Sequence, residues 1–378
     1  MSRPDSRPRV RLDWIDATRA FSILWVAWFH YFSTWSAGRE PWPFHPQYFT
    51  IYTDKCDPSG AFGTIACLAE AVFVGFSQLG SQAVSVFLLL SGLVLAYGLG
   101  EAGVPRDGWR VWYRQRLLRL FPMYWAAHLV WLVSPFVARP DPVDWRFVAS
   151  FLGDRVWPPS LFYYAVPAWW FFGCIVQLYL VFPILAAGLR RLGPGVFLVV
   201  CAAFTIASRA ILLFVLEANG NFVMGAFFGS RLWEFAAGMS IGWMLRRHRE
   251  ATLRILLGPT GLALGVAIYA LGFLSYRPGW SFTCTDGLVG MGLFAISAQI
   301  ARGLLLVPGL ARPLVWVGLT SYGVYLLHQP YLNFAAERLR ELPLGRIVPM
   351  GLTLLGLVTL GSGLLEKLVD RATKRVIG

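Results

Sequence analysis

Charge is what this chain has least of. Only 14% of its 378 residues are Asp, Glu, Lys or Arg, against roughly a quarter in a soluble globular protein. That deficit excludes an ordinary water-soluble fold of this length. Acid is scarcer than base, with 20 Asp and Glu against 33 Lys and Arg. Cysteine is sparse, five in all, and no spacing suits a metal centre, so no metal is expected. No linker, low-complexity tract or evident repeat divides the chain.

In place of charge there is apolar length. Hydrophobic residues make up 57% and aromatics 16%, with a mean hydropathy of +0.57. Long apolar blocks alternate with short Arg-rich stretches, the pattern of a polytopic helical membrane protein. Lipid offers a bare backbone no hydrogen bonds, so such blocks must be helices. The expected fold is an all-α bundle forming one domain over 1–378. Ten spans are expected, at about 14–35, 80–99, 118–138, 167–188, 195–216, 227–245, 254–275, 284–302, 314–335 and 347–365.

With the N-terminus inside, nearly two thirds of the 33 Lys and Arg fall on the cytoplasmic face, which predicts both termini there. The net charge of +13 thus reads as membrane orientation and not as nucleic-acid binding. The basic start feeds a long span without a small-residue cleavage site and reads as an uncleaved anchor. The stretches 36–67 and 139–166 lie outside and are rich in Pro, Trp and Tyr. They are expected to cover a cavity mouth or to form an aromatic belt. Cys56 and Cys67 share that first outer loop and Cys284 begins span eight on the same side. A disulfide among them fits the sequence as well as free thiols do.

The polar residues inside apolar blocks carry the chemistry. Arg19 and His30 share the first span, and an ionisable group there is a functional site by default. Eleven steps at about 100° return to within roughly 20° of the starting face and rise about 16 Å. One helix edge therefore presents an anion-binding group below a group suited to general-base work. Asp16 lies one turn before Arg19, placed to pair with it. Arg116 and Arg119 share a face at the start of span three, with Arg114 to one side. Such guanidiniums fit phosphate oxygens, although positive-inside anchoring explains them too. Arg231 and Glu234, at i and i+3, read as an ion pair or as acceptor ligands. Tyr325 and His328 share a face of span nine and line a cavity or hold a structural hydrogen bond. His128, His45 and His248 carry weaker cases. Ser91–Gly92 reads as a close helix contact.

Taken in order, these segments resemble the acyltransferase-3 family of integral membrane acyltransferases over most of the chain. Arg19 with His30 resembles its Arg-x10-His motif, and Arg116-LeuLeu-Arg119 its Arg-x-x-Arg motif. PheLeuLeuLeuSer91Gly92, Arg231LeuTrpGlu234PheAlaAlaGly and Ser321TyrGlyValTyr325LeuLeuHis328GlnPro resemble further signatures. One departure stands out: Ile175 and Val176 occupy the place of an acidic pair that many members carry before a Gln.

The resemblance implies transfer of an acyl group, usually acetyl, from cytoplasmic acyl-CoA to a hydroxyl of a glycan or other envelope-associated acceptor. Arg116, Arg119 and Arg114 would hold the phosphates of the coenzyme, and His30 would act as general base assisted by Arg19. His328, Tyr325, Glu234 and Arg231 would touch the acceptor. A multi-pass protein of the bacterial inner membrane is the implied location. The competing reading is a secondary transporter of a small anionic solute, which also uses buried charge.

Overall fold

The fold is all-α. In the computed structural model, which describes residues 12–54, 61–100, 102–137, 141–218, 220–276 and 279–377, 82% is helical with no strand among the described residues. The α-helices are α1 (Asp13–Ser36), α2 (Tyr48–Asp54), α3 (Ala61–Leu79), α4 (Ala83–Tyr97) and α5 (Gly108–Val133). They continue as α6 (Trp145–Phe151), α7 (Trp170–Phe214), α8 (Leu232–Arg247), α9 (Arg249–Leu256) and α10 (Pro259–Leu274). The last four are α11 (Thr285–Leu305), α12 (Ala311–Leu319), α13 (Ser321–Arg338) and α14 (Leu344–Ile377).

Among the described residues, four helical runs are long and apolar enough to cross a membrane: Gly63–Tyr97, Pro167–Val215, Trp280–Leu305 and Leu344–Arg375. The pair α9 and α10, bent by 57°, makes a fifth if it counts as one span. These make it a helical membrane protein. The helices that fall short by length and composition include α1, α5 and α13, which carry Arg19, His30, Arg116, Arg119 and His328. Their polar residues lower the mean hydropathy of the segments that build the site.

Several boundaries differ from the sequence expectation. Residues 61–79 form helix α3, which runs through a 3-10 turn at Gly80–Gln82 straight into α4. The turn keeps right-handed φ/ψ at Leu79 and Ala83, so nothing halts the helix where span two was expected to begin. Conversely, the expected span 314–335 is two helices, broken at Thr320, whose φ of −105° and ψ of 14° are non-helical. Two spans were expected within α7, and Gly193 parts them with φ 73° and ψ 166°. Only glycine enters that region freely, and Pro194 then starts the second half. The side chain of Phe197 returns to within 3.5 Å of where a Cβ on Gly188 would stand, so the two halves fold back as a hairpin.

α1 sits at the centre, packed on α12, α13, α11, α4 and α3. α4 and α8 approach backbone to backbone. A Cβ on Gly92 would run into the carbonyl oxygen of Phe235, and one on Gly238 into that of Leu89. Small residues let helices without a hydrophobic driving force gain van der Waals contact, which is the packing role expected of Gly92. Cys174, Cys201 and Cys284 are free thiols, so Cys284 takes no part in a disulfide. Cys67 is disulfide-bonded, and Cys56 lies outside the described residues.

Candidate functional site: a cavity from an arginine cluster to a histidine pair

A cavity of about 270 Å3 lies between α1, α4, α5, α7 and α13. Arg19, Arg116 and Arg119 line it together with His30, Tyr325 and His328. The middle is apolar, walled by Ile23, Val26, Phe87, Leu90 and Ile175. Ser91, beside the packing residue Gly92, faces into it as well.

At the arginine end, Arg19 Nη1 donates to Asp16 Oδ1 at 2.8 Å. Acids in the first turn of α1, Asp13 and Asp16, are favoured by the helix dipole. The backbone of Asp16 is also clamped, because a Cβ on Gly318 would collide with its carbonyl. Arg119 is neutralised from α14: Nη2 lies 2.7 Å from Glu366 Oε1 and Nη1 3.1 Å from Asp370 Oδ2. Glu366 Oε2 takes the N–H of Gly323 at 2.6 Å, which fastens α13 and α14 at the same point. Arg116 is different. It leans on the Trp112 ring, 5.6 Å from its centroid, and its buried Nε has no hydrogen-bond partner. No carboxylate faces it among the described residues. Tyr179 of α7 lines the cavity together with Arg19, Arg116 and Arg119. Arg114 is exposed and does not line the cavity.

At the other end, the rings of His30 and His328 stand 5.2 Å apart, centroid to centroid. His328 is fully buried; its Nδ1 is 3.0 Å from the carbonyl of Val324, and its Nε2 has no partner. His30 Nδ1 is 3.2 Å from Gln329 Nε2. The other end of that amide is fixed, since Gln329 Oε1 accepts the N–H of Ala168 at 2.6 Å. Tyr325 is held too: its hydroxyl donates to Ala168 O at 2.9 Å and accepts from Phe172 N at 3.0 Å. Trp169 Nε1 donates to Leu326 O at 2.8 Å. These bonds join the start of α7 to α13 and set both histidines.

Two anticipated residues lie elsewhere. Arg231 and Glu234 do not line the cavity. Arg231 Nε sits 2.9 Å from Glu234 Oε1, Nη1 2.9 Å from Asp286 Oδ2, and Nη2 donates to Ser85 Oγ at 2.8 Å. Arg209 closes on the same Asp286 oxygen. The group balances two cations against two carboxylates between α4, α7, α8 and α11, which is an ion network that locks helices. His128 is spent as well, its nitrogens 2.9 Å from Tyr124 O and 2.8 Å from Ser150 Oγ. His45 and His248 are exposed.

The sequence reading missed Gln329, Tyr179 and Glu366. Gln329 stood in the quoted motif beside His328 without a role, and a buried amide next to a histidine was the available signal. At the departure from the family pattern, Ile175 walls the cavity, while Gln177 donates to Ala226 O at 2.9 Å and accepts from Phe228 N at 3.2 Å.

The geometry defines a class: a helical membrane protein with a buried chamber, cationic at one end and imidazole-lined at the other. An acyltransferase domain matches residues 12–365. The chain belongs to the acyltransferase-3 family and is an integral membrane acyltransferase. No curated protein and no solved structure matches it significantly.

Proposed function

We propose that this protein moves an acyl group, acetyl first among them, from cytoplasmic acyl-CoA to a hydroxyl of a glycan or other envelope-associated acceptor. The single observation that carries the reading is the continuity of one cavity from Arg19, Arg116 and Arg119 to His30 and His328. Coenzyme A is a phosphate-bearing head on a long thin arm. Arginines suit the head, and the apolar middle suits the arm. Arg116 is the principal anion ligand, because Arg119 already faces two carboxylates. Arg19 lies roughly 16 Å along α1 from His30 and steadies the donor below the reacting end. The acyl carbon and the acceptor hydroxyl meet at the histidine pair.

The same reading sets the arginine end toward the cytoplasm, with ten crossings and both termini inside a bacterial inner membrane. Crossings then include α1, α5, α8 and α13, whose polar faces turn inward to the cavity and the ion network. The acceptor arrives from the opposite side, near the outer stretch where Trp42 stacks on Phe44 and Phe44 on Tyr276.

The test is to incubate membranes holding the protein with labelled acetyl-CoA and follow label into glycan, lipid and small-molecule fractions. Transfer that weakens at limiting acetyl-CoA in Arg116→Ala and disappears in His30→Ala, both variants still folded, is the expected result. Label that stays on the coenzyme with every acceptor fraction refutes acyl transfer from acetyl-CoA and favours transport of a small anion.

A further inference from the structure

The two histidines are not equivalent, and hydrogen-bond bookkeeping separates them. The Ala168 N–H can only donate, so Gln329 turns its carbonyl oxygen there and its NH2 toward His30. His30 Nδ1 is thereby an acceptor, and the proton of the neutral ring sits on Nε2. The Val324 carbonyl can only accept, so His328 Nδ1 carries the proton and its Nε2 is a bare lone pair. That lone pair is buried and unpartnered, on a residue that lines the same chamber as His30. One ring therefore offers a donor and the other an acceptor.

We infer that His328 Nε2 removes the acceptor's proton, while His30 Nε2–H holds the carbonyl oxygen of the acyl group. This division rests on the acyl-transfer reading above and departs from the expectation that His30 is the base. The step balances. The acceptor O–H bond breaks and its proton goes to His328 Nε2 as the oxygen bonds to the acyl carbon. The thioester carbonyl becomes a tetrahedral oxyanion that accepts a hydrogen bond from His30 Nε2–H. Collapse breaks the C–S bond, and the leaving thiolate takes the proton back from His328. The products are the ester and the free thiol, with both rings returned to their starting protonation. A preorganised donor at a developing oxyanion is worth about 100- to 1000-fold in rate, and a positioned base a similar 100- to 10,000-fold.

Amide side chains test this because each copies one ring nitrogen. Asn at 328 can keep the Nδ1–H bond to Val324 but has no base. Gln at 30 can keep a donor where Nε2–H stood. Label transfer from acetyl-CoA in membranes should fall at least 100-fold in His328→Asn. It should survive within about tenfold in His30→Gln and be lost in His30→Ala. The reverse pattern, with His328→Asn active and His30→Gln as dead as His30→Ala, overturns the assignment. An independent arm reads proton placement directly by 15N NMR of histidine-labelled protein, assigned with the same variants. Nδ1–H on His328 and Nε2–H on His30 is the expected result, and a proton on His328 Nε2 in the neutral state overturns it. If wild-type membranes move no label from any acyl-CoA, the acyl-transfer reading itself has failed; a wrong tautomer with intact transfer fails the proton assignment alone.

Discussion

Gln329 reaches across from α13 to α1 and sets its amide 3.2 Å from His30 Nδ1, although the two residues lie 299 positions apart in the chain. In the proposed assignment that contact makes Nδ1 the acceptor and leaves Nε2–H of His30 as the donor. Replacing Gln329 by Ala removes two buried hydrogen bonds, to His30 and from Ala168, each worth about 0.5–1.5 kcal/mol, and should lower turnover at least tenfold. Gln329→Glu should cost more, because a carboxylate can only accept, which draws the ring proton onto Nδ1 and leaves Nε2 an acceptor. Initial rates with labelled acetyl-CoA, at matched folded protein, measure both.

Among the described residues Arg116 has no carboxylate partner, while Arg119, three residues on, has two. Loss of a charged hydrogen bond costs about 1.5–3 kcal/mol. Arg116→Ala should therefore raise the KM for acetyl-CoA by roughly 10- to 100-fold, since each 1.4 kcal/mol is tenfold. Arg119→Ala instead strands the buried Glu366, and its first effect should be a lower melting temperature. Donor titrations paired with thermal unfolding separate the two.

Asp286 is the shared anion of Arg209 and Arg231. Both arginines are almost fully buried. Removing one partner of a buried ion network leaves an uncompensated charge and costs about 3–5 kcal/mol. Asp286→Ala should reduce the yield of monodisperse protein in detergent and lower its melting temperature, whatever acceptor is supplied. A variant that is stable yet inactive would instead place the network in the chemistry.

Gly238 meets the backbone of Leu89 where α8 crosses α4. Overpacking a tight contact costs about 1–3 kcal/mol, and here the obstacle is main chain that cannot rotate away. Gly238→Ala should destabilise the protein by at least that much and distort the chamber wall that α4 supplies. Thermal unfolding in detergent reads the first effect and donor affinity the second.

How much could be read beforehand follows from which contacts are local. Arg19 and His30 sit on one helix, so periodicity alone placed them on one edge, and both line the cavity. Asp16 with Arg19 and Arg231 with Glu234 are one turn apart and were equally legible as pairs. Helix crossings were not. Glu366 beside Arg119, Gln329 beside His30 and Asp286 beside Arg231 depend on which helices meet and at what height. Helix α3 was missed because its run from loop residues into span two contains no breaker at Gly80–Gln82. The reverse error at Thr320 arose because a membrane span and two shorter helices share one apolar pattern. The match over residues 12–365 shows the family.

Arg116 has a last consequence, for the end of the catalytic cycle. Under the proposed donor assignment, the coenzyme's phosphates are unchanged when its thioester is spent, so the arginine that would recruit the donor would detain the emptied carrier with equal force. Free coenzyme A should compete with acetyl-CoA at comparable concentrations, and its departure, more than the bond exchange, should pace each turnover.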